Sequence, residues 1–309
     1  MSPEPSPVIR VDDVRKAYGT VQAVDGVTFE VAKGEIFSLL GPNGAGKTTT
    51  MEMIEGLHAP DSGSIAVLDM DIRRQAVAIK NRVGVQLQTA ALYPQLTVVE
   101  VMRLFSSFYD RHLPVDGLIH DLELDEKKDA QTKTLSGGQR QRLSVALALV
   151  NDPEVVFLDE PTTGLDPAAR QSLWDVVRRL RGQGRTILMT THYLEEAEAL
   201  SDRVAIMDHG KILDIGTSDE LIGRRFSERT VRFDRNGAPE DAALAALPAV
   251  THVAHEHDDV LLYTKDVPAT IGALLDLTTS RGTEPADLMI RKPTLEDVFL
   301  DLTGRALRD

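Results

Sequence analysis

The stretch IFSLLGPNGAGKTTTM, residues 36–51, constrains the fold of this chain more than any other part of its sequence. Residues 36–40 are apolar and predict a short buried strand, and the apolar spacing of residues 47–57 predicts a helix. The turn between them contains glycines at three positions, which are Gly41, Gly44 and Gly46. Because glycine tolerates positive φ angles and has no Cβ, the backbone N–H groups of such a turn can close around an anion. We therefore predict a strand, an anion-binding turn and a helix in succession.

Residues 41–48 fit the pattern G-x-x-x-x-G-K-[ST] at every fixed position. Lys47 is expected to reach the β- and γ-phosphates of a nucleoside triphosphate as a catalytic group, and Thr48 is expected to bind Mg²⁺. A turn that only joined a strand to a helix would explain the glycines but not the Lys47-Thr48 pair at this offset. The predicted phosphate-binding residues are Gly41, Pro42, Asn43, Gly44, Ala45, Gly46, Lys47, Thr48 and Thr49.

Two acids follow a second apolar strand, in VVFLDEP at residues 155–161. Asp159 and Glu160 are placed where a parallel sheet opens onto its ligand crevice. Phosphoryl transfer requires an in-line nucleophile and charge neutralisation more than covalent help. We therefore predict that Asp159 binds Mg²⁺ and that Glu160 is a catalytic residue that orients the attacking water.

The segment LSGGQ, residues 135–139, precedes a helical pattern over residues 139–150, and Ser136 is the natural N-cap of that helix. Glycines beside the cap allow a ligand to approach closely, and the positive end of the helix dipole favours phosphate. These features predict a second anion site, formed by Ser136, Gly137, Gly138 and Gln139.

Taken in order, GPNGAGKT, LSGGQ, VVFLDEPTTGLDP and the histidine of TTHYLEEAE resemble the motifs of the nucleotide-binding subunit of ABC transporters, over about residues 8–222. The resemblance implies that the ligands are ATP and Mg²⁺. It also implies that Tyr18 stacks on adenine and that Gln88 contacts both Mg²⁺ and the attacking water, as a metal ligand and catalytic group. Asp166 resembles the residue that links two opposed ATP sites, and His192 resembles the catalytic switch histidine at the γ-phosphate.

In this family two subunits pair head to tail, so that the LSGGQ of one closes over the ATP on the phosphate-binding turn of the other. One copy of each motif therefore implies a homodimer on ATP binding. The tail RKPTLEDVFLDLTGR, residues 291–305, looks like that of bacterial drug and antibiotic exporter ATPases of the daunorubicin-resistance type. Their permease is a separate membrane chain of the ABC-2 type, and the implied function is ATP-powered export of a drug, antibiotic or lipid-like compound. The transported substrate would bind the permease and cannot be read from this sequence.

Alternating strand and helix patterns indicate an α/β chain with a mainly parallel sheet. After a disordered N-terminus at residues 1–7, we predict a P-loop NTPase fold of the ABC ATPase type over residues 8–226. It would combine a mixed sheet core with a helical subdomain at about residues 89–150. Beyond an arginine-dense stretch, the order βαββαβ favours a small α+β ferredoxin-like module within residues 227–309.

The composition of the chain limits the kinds of partner that it can bind. With 34 basic and 48 acidic residues, the net charge of −14 argues against a broad nucleic-acid footprint. No apolar run approaches the roughly 18 residues needed to span a bilayer, so we expect peripheral attachment, through a permease, to the cytoplasmic face of the membrane. The absence of cysteine fits a reducing compartment.

A drug exporter has three alternatives. A soluble ABC ATPase that acts on nucleic acid or ribosomes is disfavoured, because such proteins usually carry two cassettes or long coiled coils, and this chain has one P-loop and no heptad run. A transporter subunit for lipid, polysaccharide or sodium stays open. A GTPase is disfavoured because no N-K-x-D motif follows the P-loop.

Three histidines lie close together near the C-terminus, and two of them, His255 and His257, would share one face of a strand. No acid or cysteine at ligand spacing is tied to them or to His252. We therefore do not predict a metal site there.

Overall fold

The computed structural model describes residues 7–86, 92–226, 228–236 and 238–304, and the chain divides into two compact units. The first unit ends at Thr217 and the second begins at Ser218. The boundary predicted from the sequence, after residue 226, lies one helix later in the chain than this observed boundary. The first strand already begins at Pro7, and the rest of the predicted disordered N-terminus lies outside the described residues.

The first unit is an α/β structure. Its strands in the described residues are β1 (Pro7–Tyr18), β2 (Val21–Ala32), β3 (Ile36–Leu40), β4 (Ser62–Val67), β5 (Met70–Asp71), β6 (Val83–Gln86), β7 (Val155–Asp159), β8 (Thr186–Thr191), β9 (Arg203–Asp208) and β10 (Lys211–Gly216). Its helices are α1 (Lys47–Ile54), α2 (Ala76–Lys80), α3 (Val98–Ser106), α4 (Val115–Asp121), α5 (Gly137–Ala148), α6 (Pro167–Gly182) and α7 (Leu194–Leu200).

The main sheet has the strand order β10-β9-β3-β8-β7-β6, and every neighbouring pair is parallel except β10 with β9. Strands β3 and β7 are buried along their whole length, as expected when both faces of a sheet are covered. Their side chains alternate between two apolar clusters: Phe37 and Phe157 belong to one, and Ile36 and Val156 to the other. The predicted mixed sheet is confirmed, and its parallel strands bring the segments after β3, β7 and β8 to the same edge.

An antiparallel sheet, in the order β2-β1-β4-β5, lies on the first of these clusters. Phe29 of this sheet stacks on Phe37 of the main sheet, with ring centroids 5.1 Å apart. The bounds of these four strands were not predicted from the sequence. Polar residues on the exposed side of these strands interrupt the apolar pattern and hide their full length.

Residues 92–150 contain α3, α4 and α5 and no strand. Helix α3 begins with a capping box between Thr97 and Glu100, and it ends at Ser106. Helix α5 begins two residues earlier than predicted, and Ser136 is its N-cap, as expected.

The second unit has its own sheet and apolar core. Its elements in the described residues are α8 (Ser218–Arg225), β11 (Arg229–Asp234), α9 (Asp241–Ala245), β12 (Val250–Glu256), β13 (Asp259–Thr264), α10 (Val267–Ser280), β14 (Met289–Arg291) and α11 (Leu295–Thr303). The sheet is antiparallel in the order β12-β13-β11-β14, and Phe233, Leu262 and Leu274 are at the centre of its core. From β11 to β14 the elements follow the predicted order βαββαβ.

Helices α8 and α11 pack against each other within the second unit. Leu295, Val298 and Phe299 of α11 are buried, and Arg225 of α8 forms an ion pair with Asp301 at 3.3 Å. The apolar side chains of α11 at these three positions are therefore covered inside their own unit. In the part of the chain that the structure describes, no helix combines the length and apolarity needed to cross a bilayer.

Candidate nucleotide site

The turn between β3 and α1 is shaped by its glycines. A Cβ on Gly41 would lie 2.3 Å from the carbonyl oxygen of Met207, and one on Gly46 would lie 2.4 Å from that of Ala23. Gly46 and Gly44 also have φ angles of +98° and +82°, which disfavour other residues. Two neighbouring strands and the backbone conformation thus require glycine at these positions.

The ammonium group of Lys47 lies inside this turn. It donates hydrogen bonds to the carbonyl oxygens of Gly41 at 2.8 Å and Pro42 at 3.1 Å, and the residue is only 4% exposed. Its Nζ is 3.5 Å from Oε1 of Glu160. Burial lowers the pKa of Lys47, and the nearby Glu160 carboxylate opposes this change. The turn therefore holds a desolvated cation, which is suited to bind phosphate oxygens.

Asp159 ends β7 directly opposite Thr190 of β8. The Thr190 hydroxyl donates to Oδ1 of Asp159 and accepts the backbone N–H of Glu160 at 2.9 Å. The hydroxyl of Thr48 lies 3.4 Å from the same Asp159 oxygen. Burial raises the pKa of Asp159, and the hydrogen bond from Thr190 lowers it. One threonine thus fixes both acids at the end of the strand.

Glu160 is held in an unusual backbone conformation, with a φ of +45°. Such a conformation costs about 1–3 kcal/mol in a residue other than glycine, and it persists only where neighbouring groups impose it. The hydroxyl of Thr163 donates to Oε2 of Glu160 at 3.1 Å, and Nδ1 of His192 lies 3.3 Å from the same oxygen. The Glu160 carboxylate therefore lies between Lys47 on one side and His192 on the other.

The oxygen atoms of Thr48 and Asp159 fit a magnesium ion. Mg²⁺ prefers hard oxygen ligands, usually one or two protein groups completed by phosphate oxygens and water, and a hydroxyl and a carboxylate 3.4 Å apart can supply them. Gln88, the third predicted metal ligand, lies outside the described residues.

The remaining predicted nucleotide contacts lie at the surface of the first unit. Ser136 and Gln139 form a reciprocal capping box at the start of α5, and Asp166 caps α6 by accepting the N–H of Ala169 at 2.9 Å. Ser136 and Asp166 are exposed. Tyr18, at the end of β1, is 46% exposed. Within the described residues the side-chain hydrogen bonds of Ser136 and Asp166 are these caps, so both turns present free surface to another molecule.

A family model described as ABC transporter matches residues 24–163. The Nod factor export ATP-binding protein I of Ralstonia nicotianae is 39% identical over 311 residues, which cover 98% of this chain and 96% of that protein. The daunorubicin resistance ATP-binding protein of Streptomyces coeruleorubidus is 40% identical over 306 residues, with 96% of each chain covered. The chain belongs to the ATP-binding proteins of ABC transporters.

A solved dimeric structure of a bacterial ABC transporter cassette also matches this ABC protein, with a TM-score of 0.62 and 25% identity. The match covers 68% of this chain and 98% of the cassette. The predicted ABC ATPase fold is therefore confirmed, and ATP hydrolysis is the reaction of the family.

Thr190 and Thr163, which position the two acids of this ABC protein, were not among the predicted site residues. A signal was present for Thr190, because TILMTTH places hydroxyl residues at the end of a strand that must neighbour VVFLD in a parallel sheet. The register that sets Thr190 opposite Asp159 is a property of the folded sheet and is not visible in either segment alone.

The histidines of the second unit have separate partners. His252 stacks on Tyr263 with ring centroids 3.8 Å apart, and Nε2 of His255 lies 2.9 Å from a carboxylate oxygen of Asp241. The expectation that His255 and His257 share a strand face is wrong, because β12 ends one residue before His257, which has a φ of +54° in the following turn. Among the described residues, no group of histidine, cysteine and acidic side chains could hold a metal ion.

Proposed function

We propose that this subunit uses ATP and Mg²⁺ to power export of a drug, antibiotic or lipid-like compound through a separate ABC-2 type permease, from the cytoplasmic face of the membrane. The observation that carries the proposal is the Glu160 carboxylate, 3.5 Å from Nζ of Lys47 and 3.3 Å from Nδ1 of His192. The relatives support an export role, since one is named for Nod factor export and the other for daunorubicin resistance. These names favour export over action on nucleic acid or ribosomes.

In the proposed reaction, the glycine turn and Lys47 bind the phosphates of ATP. Thr48 and Asp159, together with Gln88, would hold Mg²⁺, which would neutralise phosphate charge when bound. Glu160 accepts a proton from the attacking water as the water oxygen bonds to the γ-phosphorus and the bond to ADP breaks. His192, beside Glu160, contacts the γ-phosphate and orients it for in-line attack.

The exposed turns around Ser136 and Asp166 are the basis for a proposed homodimer. The N-terminus of α5 carries a partial positive charge that favours phosphate, and its glycines allow close approach. In the proposed ATP-bound dimer, residues 136–139 of one chain close over the ATP on the P-loop of the other, and Asp166 lies between the two sites. The dimeric state of the matched cassette supports this arrangement.

A complementation experiment tests the composite sites. Lys47→Ala removes the phosphate-binding cation, and Ser136→Arg places a bulky side chain at the exposed cap. Each homodimer then has two defective sites, whereas a mixed dimer concentrates both defects in one site and leaves the other intact. Equal mixing should therefore restore about a quarter of wild-type ATPase activity, since half of the dimers are mixed and each has one of two sites.

The control is a mixture of Lys47→Ala with Lys47→Ala/Ser136→Arg, in which no dimer has an intact site. Activity in the first mixture no greater than the sum of the two parents would show that each site is completed within one chain. Inactivity of the wild-type chain with Mg²⁺ and ATP would overturn the proposed hydrolysis itself.

A further inference from the structure

A buried carboxyl group on α7, that of Glu196, takes no part in the site described above. The residue is completely buried, and α7 begins two residues after His192. The indole Nε1–H of Trp174, on α6, donates to Oε1 of Glu196 at 3.0 Å. Because burying a carboxylate is costly unless it is bonded or neutralised, surrounding groups must stabilise this one.

Several elements meet at Glu196. Burial raises the pKa of Glu196, and the hydroxyls of Thr191 and Thr162 together with the Trp174 indole lower it. Thr191 ends β8 next to His192, and Thr162 follows the acidic pair at the end of β7. The carboxyl group thus contacts α6 directly and lies near the two segments that carry His192 and Glu160.

The polar network around Glu196 is incompletely bonded. Its Oε2 and the Nε of Arg170 are buried and have no hydrogen-bond partner among the described residues. The Arg170 guanidinium lies 4.4 Å from the ring centroid of Tyr193, the residue after His192, and its Nη1 lies 4.0 Å from a carboxylate oxygen of Glu195. Unsatisfied buried polar groups are rare in native structures and require an explanation. A core selected for stability alone would favour apolar side chains at this place.

The Trp174–Glu196 hydrogen bond joins α6 to α7, and each of these helices begins near a residue of the proposed site. Asp166, which is proposed to lie between the paired ATP sites, is the N-cap of α6, and α7 begins two residues after His192. A shift of α7 relative to α6 would therefore move His192 relative to both Asp166 and Glu160.

We propose that Glu196 is a positioning residue for ATP hydrolysis, which fixes His192 and the α6 helix relative to each other through its hydrogen bond with Trp174. This inference rests on the role proposed above for His192. Misplacing a catalytic group by about 1 Å can cost about 100-fold in rate. A side chain that touches no substrate can therefore still determine kcat.

Two substitutions of Glu196 in the full chain test the inference. Glu196→Ala should lower kcat about 10- to 100-fold and change KM for ATP by less than about 3-fold, since the P-loop is untouched. Glu196→Gln should recover most of the loss, because the amide oxygen can still accept the Trp174 N–H. Glu198→Ala is the matched control on the same helix, where the side chain is exposed, and should retain wild-type kcat.

Trp174 offers a second readout because it is the only tryptophan in the chain. MgATP should change its fluorescence in the wild type, and Glu196→Ala should abolish this change while ATP still binds. A side chain needed only for stability would lower the melting temperature but leave the MgATP response of the folded fraction intact. If Glu196→Ala does not fold, Trp174→Phe, which removes the donor but keeps most of the ring, should show the same loss of kcat.

The inference is overturned if folded Glu196→Ala keeps kcat within about 2-fold of wild type, or if its Trp174 fluorescence still responds to MgATP. It is also overturned if Glu196→Gln is as inactive as Glu196→Ala. His192→Ala separates this failure from failure of the proposed function. If His192→Ala is inactive while Glu196→Ala is active, only the positioning role is wrong; if both are fully active, the role of His192 is wrong as well.

Discussion

Among the described residues, both units of this ABC protein bury threonines, but only the first unit buries charged side chains. The first buries charged residues, which are Glu35, Lys47, Glu55, Asp159, Glu160, Glu196 and Asp208. In the described part of the second unit, the buried polar residues are all threonines, namely Thr230, Thr264, Thr270 and Thr278. A buried threonine can bond to a nearby group, as Thr278 does to the Leu274 carbonyl at 2.9 Å. Buried charges cost much more unless they are paired.

This difference indicates which part of each unit, its interior or its surface, carries its function. The interior of the first unit contains groups with shifted pKa values, and one of its acids has a strained backbone. Perturbed ionisable groups cluster at functional sites. The interior of the second unit is arranged for packing, so a role in docking or regulation would have to lie on its surface. The predictions below test this division.

The largest effect is expected from Glu160→Gln in the first unit. Loss of the carboxylate that accepts the water proton should lower ATP turnover by roughly 10²- to 10⁴-fold, or about 2.7–5.4 kcal/mol of barrier. ATP binding should persist, and ATP should hold the variant as a dimer in size-exclusion chromatography. Glu154→Gln, at the exposed opposite end of β7, is the control and should remain active. Near-normal turnover of Glu160→Gln would remove Glu160 from its proposed role.

Phe299→Asp should destabilise the second unit selectively. Phe299 is 1% exposed, and losing its buried ring costs about 3–5 kcal/mol before the added charge is considered. We expect proteolysis to degrade residues after about 218 while the first unit still binds ATP. Leu300→Asp, at a neighbouring position that is 47% exposed, should be tolerated. A single unfolding transition that abolishes ATP binding would show that the first unit depends on the second for its stability.

Glu55 predicts a pH dependence that originates in the first unit. Burial, with a smaller contribution from Asp159, raises its pKa to about 8. The folded chain therefore retains a proton that the unfolded chain releases near pH 4.5, so this residue's contribution to stability falls as pH rises from about 4.5 to about 8. Glu55→Gln, which stays neutral, should be more stable than wild type at pH 8 by as much as several kcal/mol. The difference should vanish towards pH 4.5.

Thermal unfolding at several pH values measures this effect. Glu126→Gln is the control, because Glu126 is an exposed glutamate of the first unit. A gain in stability for Glu55→Gln that is equal at all pH values would assign the effect to packing. No gain at pH 8 would show that Glu55 is ionised in the fold at little cost.

Some features of the fold and of the site could be predicted from the sequence, whereas others depend on contacts between segments that are far apart in the chain. The motifs predict that Lys47 and Glu160 lie at the same edge of the sheet, because each follows an apolar strand, and strand ends in a parallel sheet converge. Their roles in catalysis stay a prediction. The need for Gly84 in β6 could not be foreseen, since it arises from the Ala148 carbonyl oxygen, which would lie 1.8 Å from a Cβ there. The assignment of α8 to the second unit likewise depends on its packing against α11, far away in sequence.

The smallest effect is expected at Tyr18, the proposed adenine contact. Its ring is 46% exposed, with the Lys16 ammonium 5.6 Å from its centroid. Aromatic stacking contributes about 0.5–1.5 kcal/mol, so Tyr18→Ala should raise KM for ATP about 2- to 10-fold and leave kcat nearly unchanged. Tyr18→Phe should bind ATP like the wild type, because stacking requires the ring and not the hydroxyl. Tyr263→Ala, which removes an aromatic ring from the second unit, should leave KM unchanged. An equal rise in KM for Tyr18→Phe and Tyr18→Ala would mean that Tyr18 acts through its hydroxyl, and an equal rise for Tyr263→Ala would contradict the assignment of ATP binding to the first unit alone.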